Sequence, residues 1–493
     1  VVVSIDAGTT GVRSMAVGAD GRVVGSSYRE FPQYFPRPGW VEHDAEEIWQ
    51  AVAATLAELI DRVGQPVACV GVTDQRETTV VWDRATGRPL HRALVWQDRR
   101  TADRCRQLEE AGHLEAVRRA TGLVLDPYFS ASKLEWLFGA GGVDPAGAAF
   151  GTVDSWILWK LSGGRAHVTD VSNASRTMLF DIGRLEWDPE LCALFGVPAA
   201  VLPEVGPSSG RLAVTAADVV AGLPAGIPVS GVAGDQQSAL FGQACFTPGM
   251  TKNTYGTGSF VLMNVGNAAP KPVEGLLTTV AWSLGEVRPS HTSYALEGAI
   301  FVTGAAIQWL RDGLGLIGDS AEIGPLAQSV PDTGGAFFVP ALTGLGSPWW
   351  DPYARGAFVG LTRGVGRAQL ARAAVEAMAF QTADVLDWMC SASGQDIAEL
   401  RVDGGASVMP LLLQFQADVA GVPVRRSSVA ETTALGAAYL AGLAEGVWSS
   451  PHEVGSLWAS DFTASPAGDR RAVLSAYADW RRAVERSLRW ASG

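Results

Sequence analysis

Cysteine is scarce and scattered. The five, Cys69, Cys105, Cys192, Cys245 and Cys390, are odd in number and stand at no metal-binding spacing. They support neither a disulfide framework nor a zinc site, and they suit a reducing cytosol. Positive charge is short as well: 38 Lys and Arg against 51 Asp and Glu leave a net charge of −13. Nucleic-acid binding needs a basic face, so no nucleic-acid partner is expected. An anionic nucleotide remains open, because backbone N–H groups, a few Arg and Mg²⁺ supply local positive potential. Long apolar runs are missing: no stretch approaches the ~20 residues of a membrane span, and no signal peptide is visible. A cytoplasmic protein is the expectation. What is present is globular, 47% hydrophobic and 18% charged over 493 residues. That length exceeds one ordinary core, so two large domains are expected.

The chain is organised around Val229 to Gly242. The apolar run Val229 to Ala233 reads as a strand, Gly234 permits a tight turn, and Asp235, Gln236 and Gln237 open a helical segment, Ser238 to Ala244. A carboxylate and two amides thus stand at a strand end beside a helix start, where parallel α/β sheets place ligands. Asp235 either caps the helix or takes a proton from a substrate hydroxyl.

The first half begins with a buried strand, Val1 to Ile5, followed by Asp6-Ala-Gly-Thr-Thr-Gly-Val-Arg13 and a second strand, Val12 to Val17. Gly8 and Gly11 let the backbone approach a ligand; Thr9, Thr10 and Arg13 offer hydroxyls, N–H groups and a cation. No Gly-Lys-Ser/Thr occurs and a strand follows, so this is no Walker loop. It is either a plain hairpin or a phosphate cradle with Asp6 holding Mg²⁺ or its water. A helix over Ala45 to Val63 leads to the strand Ala68 to Val72 and the polar burst Thr73 to Thr78. There Arg76 beside Glu77 either clamps hydroxyls, Arg donating and Glu accepting, or forms a weak surface pair. Trp96 follows at another strand end. Tyr128 leaves a Pro turn, as core or as the wall of a small polar pocket. The polar stretch Thr169 to Thr177 has no evident role.

The second half echoes the first. Thr251 to Gly258 is again a strand entering a Gly-Thr-Gly turn, with strand Ser259 to Asn264 behind it. Gly298 to Asp312 is expected as a helix with Gly304 and Gln308 on one face. Leu400 to Ala406 runs from strand into a double-Gly turn before a helix, Leu411 to Ala420. The small residues of Ala434 to Ala438 allow close helix packing. An amphipathic helix, Arg471 to Trp490, ends the pattern. A duplicated α/β unit with nucleotide held between its halves is the expected plan.

The motifs Asp6 to Thr10, Pro38 to Asp44, Gln75 to Thr79, Asp126 to Phe129, Gly234 to Gln237, Asn253 to Gly258 and Arg401 to Gly405 appear in this order. With them and the stretch Ser347 to Glu376, the chain resembles the FGGY carbohydrate kinases from residue 1 to about residue 450. The resemblance implies two ribonuclease-H-like domains of the actin/Hsp70/sugar-kinase type around a cleft, residues 1–244 on the polyol and phosphate side and residues 245–493 on the nucleotide side. It implies transfer of the ATP γ-phosphoryl to glycerol, or alternatively to another small polyol or sugar. Asp235 would be the general base. Arg76, Glu77, Tyr128, Asp235 and Gln236 would bind the polyol, with Trp96 and Phe260 walling its carbons. Thr9, Thr10, Gly11 and Arg13 would meet the phosphates and Asp6 the Mg²⁺. Thr257, Gly304, Gln308, Gly405 and Met409 would hold the nucleotide. A homodimer or homotetramer is implied.

Five departures stand out. Ala7 and Gly11 replace a usual Gln and Ser of the hairpin, and Met409 replaces a usual Asn near the base. Leu223 to Pro228 lacks the Arg of a fructose-bisphosphate loop, and Glu204 to Val214 lacks a phosphorylatable His. Weaker or less selective nucleotide binding and little bisphosphate inhibition are expected.

Overall fold

The computed structural model describes residues 1–491. Two mixed sheets carry the chain, and they share one plan. In the first, of six strands, Pro228–Gly234, Cys69–Asp74 and Val2–Ala7 run parallel and adjacent at the centre. Gly11–Val17 and Val23–Glu30 extend one side as an antiparallel meander, and Ser209–Val214 closes the other. In the second, of seven strands, Val424–Ser427, Leu400–Asp403 and Thr251–Tyr255 form the parallel centre. Ser259–Gly266 and Thr292–Ile300 form its meander and Ser460–Ala464 its far edge, with Leu277–Ser283 as an added strand. The β-branched runs explain the central strands, which are buried along nearly their whole length.

Helices cover the sheets. Ala45–Val63 starts where Asp44 accepts from the Glu46 N–H, and it stops at Gly64, whose left-handed φ of 61° suits glycine. Arg367–Ser393 is the long counterpart in the second half. Between the sheets lie Asp235–Gly242 and Thr432–Ala444. Their contact is backbone on backbone: a Cβ on Gly436 would stand 1.9 Å from the Ser238 carbonyl oxygen, and one on Gly242 2.0 Å from that of Thr432. Thr432–Ala444 also lies on the first sheet, where Gly71 and Gly231 leave room for it. The small residues of 434–438 therefore serve the close packing expected of them.

Three expected elements move. Gly298 belongs to the strand Thr292–Ile300, and the helix runs only over Gly304–Asp312. An apolar run of that length does not by itself distinguish strand from helix. The helix at the organising stretch begins at Asp235 rather than Ser238, directly after the strand. The terminal helix ends at Glu485, and Trp490 is exposed beyond it.

Candidate active site

The parallel strands of the first sheet end at Ala7, Asp74 and Gly234, and the residues just beyond each end meet. Asp235 is the first residue of its helix; its Oδ1 accepts from the Gln236 N–H at 2.7 Å and stands in an ion pair with Arg76 Nε at 3.1 Å. Its side chain is 30% exposed, whereas that of Arg76 is 2% exposed. The carboxylate is therefore partly open to solvent while its partner is buried. Arg76 Nη2 reaches the Tyr128 hydroxyl at 3.4 Å, and its guanidinium stands 5.8 Å from the Phe260 ring. Tyr128 meets the Trp96 ring edge-on at 5.6 Å. Trp96 in turn donates its indole N–H to Thr9 Oγ1 at 2.9 Å. Thr9 thereby keeps its own hydroxyl proton free for an acceptor. Arg76, Glu77, Trp96, Tyr128, Asp235, Gln236 and Phe260 thus form one constellation beside the first hairpin.

Two residues complete it that sequence reading missed. Glu297 accepts from Arg76 at Oε2, at 2.5 Å, and from Arg176 at Oε1, at 3.0 Å. Arg176 Nε also donates to Glu77 Oε1 at 2.7 Å. Arg76, Glu77, Arg176 and Glu297 form a buried square of two cations and two anions, with side chains 0–2% exposed. Burial alone would raise the Glu297 carboxyl; Arg176 and Arg76 outweigh it and bring it down to about 2. Burial raises the Glu77 carboxyl against the pull of Arg176 and Arg76. Glu77 also holds a left-handed φ of 60°, unusual for a non-glycine and common where a side chain is forced into a site.

The first hairpin lies beside Trp96 and Asp235. Asp6 pairs with Arg13 across the strands, and Arg13 reaches Glu431, from the second half, at 3.1 Å. Burial, then the charges of Asp235 and Glu431, push the Asp6 carboxyl up to about 7. This surplus of negative charge is what a divalent cation would neutralise. Among the described residues no three His, Cys, Asp or Glu side chains form a cation cage. A single carboxylate beside a phosphate cradle fits Mg²⁺, which keeps waters and shares substrate phosphates. Gly11 has its own reason: a Cβ there would stand 2.6 Å from the Tyr28 hydroxyl and 2.7 Å from the Arg29 carbonyl oxygen. Tyr28 fills the space that a serine would use.

The second half offers room instead of charge. A cavity of about 690 Å³ is lined by Thr257, Gly304, Gln308, Gly405 and Met409 among others. The helix Gly304–Asp312 starts against the Gly256–Gly258 turn, with Gly304 N–H donating to the Gly256 carbonyl at 3.0 Å. A Cβ on Gly304 would come within 2.7 Å of that oxygen. Gly405 has open space where a side chain would project. Ile307, Ile323 and Leu411 make the wall apolar, as a nucleoside base requires.

The comparisons with known proteins agree along the whole chain. The N-terminal-domain model of the FGGY family of carbohydrate kinases matches residues 1–242, and its C-terminal-domain model matches residues 251–445. The chain belongs to the FGGY family of carbohydrate kinases. Its FGGY relatives include the glycerol kinase of Dechloromonas aromatica, 57% identical over 501 residues, covering 100% of this chain and 98% of that one. Glycerol kinase 2 of Thermotoga maritima is 51% identical, covering 99% of each. Among solved structures, Plasmodium falciparum glycerol kinase with ADP superposes with a TM-score of 0.93 at 34% identity, covering 99% of this chain and 98% of that one. The FGGY fold, two domains of the actin/Hsp70/ribonuclease-H type, is thereby established for this chain.

Proposed function

We propose that the chain transfers the γ-phosphoryl of ATP to glycerol, forming sn-glycerol 3-phosphate, with Asp235 as general base. The observation that carries the reading is the Asp235 carboxylate, partly exposed at the first turn of its helix and paired with the buried Arg76 guanidinium at 3.1 Å. Full-length identity to glycerol kinases supports the substrate.

In this reading residues 1–244 bind polyol and phosphate, and residues 245–493 bind nucleotide. Glu77 and Arg76 bond the hydroxyls of glycerol, Tyr128, Trp96 and Phe260 bound its carbons, and Gln236 adds a further polar contact. A site that bonds hydroxyls rejects analogues lacking them, because buried groups are then left unpaired. Asp235 accepts the proton of the attacking hydroxyl as its oxygen bonds to the γ-phosphorus. The bond from that phosphorus to the bridging oxygen breaks, and ADP leaves. Such a transfer through a loose transition state depends on positioning and charge neutralisation. Thr9, Thr10 and Arg13 hold phosphate oxygens, while Thr257, Gly304, Gln308, Gly405 and Met409 hold the nucleotide. Asp6 would hold Mg²⁺, which neutralises phosphate charge when bound. Closure of the halves excludes water that would otherwise be phosphorylated. The protein works in the cytoplasm as a homodimer or homotetramer, a state that light scattering would read.

Coupled ADP release with ATP and Mg²⁺ tests the substrate against glycerol, dihydroxyacetone, erythritol, xylulose and gluconate. Turnover is expected to be greatest with glycerol. Turnover with xylulose or gluconate alone would overturn the pocket reading of Tyr128 and leave only the family chemistry standing.

A further inference from the structure

Lys252 belongs to the strand Thr251–Tyr255 of the second sheet, yet its ammonium reaches the first residues of the helix Asp235–Gly242. Its side chain is fully buried. Nζ donates to Oε1 of Gln236 and, at 2.9 Å, to Oγ1 of Thr254. Both partners are neutral oxygens. Burial pulls the ammonium down to about 8, against the opposing charges of Asp403 and Asp235. A buried cation resting on neutral groups costs stability that an apolar residue would not. Filling space alone does not account for it.

What the ammonium does to Gln236 follows from its chemistry. An ammonium has three donors and no acceptor, so it can face only the oxygen of a carboxamide. The amide NH₂ of Gln236 is therefore turned away from Lys252. The backbone N–H of Gln236 is fixed too, by Asp235 Oδ1 at 2.7 Å. The residue next to the general base is held at both ends.

We propose that Lys252 is a positioning residue that locks the Gln236 carboxamide as a hydrogen-bond donor toward the polyol. The proposal rests on the reading of Gln236 as a polyol contact. Gln236 then accepts nothing from the substrate, and the pocket requires a substrate oxygen with a free lone pair at that point. Because Lys252 comes from the second sheet and Gln236 from the helix after the first, the lock also ties the donor's orientation to the register of the two halves.

The test is a double-mutant cycle on kcat/KM for glycerol, with ATP KM measured alongside. Gln236→Ala alone is expected to lower kcat/KM for glycerol about tenfold, the scale of one hydrogen bond and its orphaned partner. Lys252→Met alone is expected to do the same with little change in ATP KM. In the Gln236→Ala background, Lys252→Met should cost less than about twofold further, since it acts through a group already gone. Equal losses from Lys252→Met in both backgrounds would overturn the proposal and assign Lys252 to general stability. No effect of Gln236→Ala on glycerol kinetics would refute the polyol contact itself, and the proposal with it. Gln236→Glu keeps the shape and the Lys252 partner but removes the NH₂, so it reads the orientation even if Lys252→Met fails to fold. It should lose at least as much as Gln236→Ala; retained kcat/KM would show that the oxygen faces the polyol and overturn the lock.

Discussion

The two halves share a sheet plan and differ at the ends of equivalent strands. In the first, the central strand Cys69–Asp74 runs on into Arg76 and Glu77; in the second, Leu400–Asp403 runs on into Gly404 and Gly405. The first half thus gathers directional donors and acceptors in a buried square, and the second leaves a cavity of about 690 Å³. Gly404 shows the constraint: its φ is 85°, and a Cβ there would meet the Tyr255 carbonyl oxygen at 2.4 Å. In the proposed reading one scaffold serves two recognition problems. A small polyol is recognised by its hydroxyls and needs fixed charges. A nucleotide is large and partly apolar, and needs backbone that it can approach closely.

Breaking the charged half should cost most. Glu297→Leu leaves Arg76 and Arg176 buried with one carboxylate fewer, and removing one partner of a buried pair costs about 3–5 kcal/mol. Urea unfolding should show that loss, and glycerol KM should rise with it because Arg76 is no longer held. An unchanged unfolding midpoint would show that the square is not a structural unit. The open half should respond in the opposite manner. Gly405→Val adds a side chain that meets no protein atom within 4 Å at its Cβ, so folding should hold. ATP KM should rise about ten- to hundredfold, the scale of a pocket misfitted by a few carbons, while glycerol KM stays near its original value. A matching rise in glycerol KM would mean that the two subsites are not separate.

Smaller effects sharpen the contrast. Met409→Asn places an amide in the apolar wall and should lower ATP KM a few-fold, within the ~0.5–1.5 kcal/mol of one hydrogen bond. Unaltered ATP KM would remove the idea that Met409 loosens nucleotide binding. In the first half, His43 is fully buried, with Nδ1 3.3 Å from Gln75 Nε2, which also donates to the Gly8 carbonyl of the hairpin at 3.1 Å. Burial lowers its pKa to about 4, so the folded protein keeps it neutral where the unfolded chain takes up a proton near 6.5. Its contribution is whole above about pH 6.5 and is lost as pH falls toward 4. The stability difference between wild type and His43→Gln should therefore shrink over that window; a difference constant with pH would contradict this.

Most strands, the hairpins and the small-residue helix were legible, because β-branched runs, Gly turns and packing size are local signals. The site was legible where one short stretch carried its chemistry, as with Arg76-Glu77 and Asp235-Gln236. Arg176, Glu297 and Lys252 were not, since each meets its partners across a gap in sequence or between sheets. Glu297 and Arg176 are 121 residues apart, and Arg76 and Glu297 are 221 apart. A signal existed for Glu297: it is a lone carboxylate in the apolar run Tyr294 to Ile300, and a charge in a buried strand must be paired. The expected helix, Gly298 to Asp312, took the end of that run, so Glu297 just before it was not read as part of a buried strand. The polar stretch Thr169 to Thr177 gains a role through Asp170, which caps the short helix Val171–Ala174, and through Arg176, which anchors Glu77.

The central claim is that Asp235 acts on the proton of the attacking hydroxyl. Asp235→Asn retains a side-chain oxygen for Arg76 and removes the base. Glycerol-dependent ADP release and calorimetric glycerol binding, measured on the same preparation, test it most directly. The account predicts that binding holds within a few-fold while turnover falls about 10²–10⁴-fold, the usual contribution of a positioned base. Turnover near the wild-type rate would contradict it.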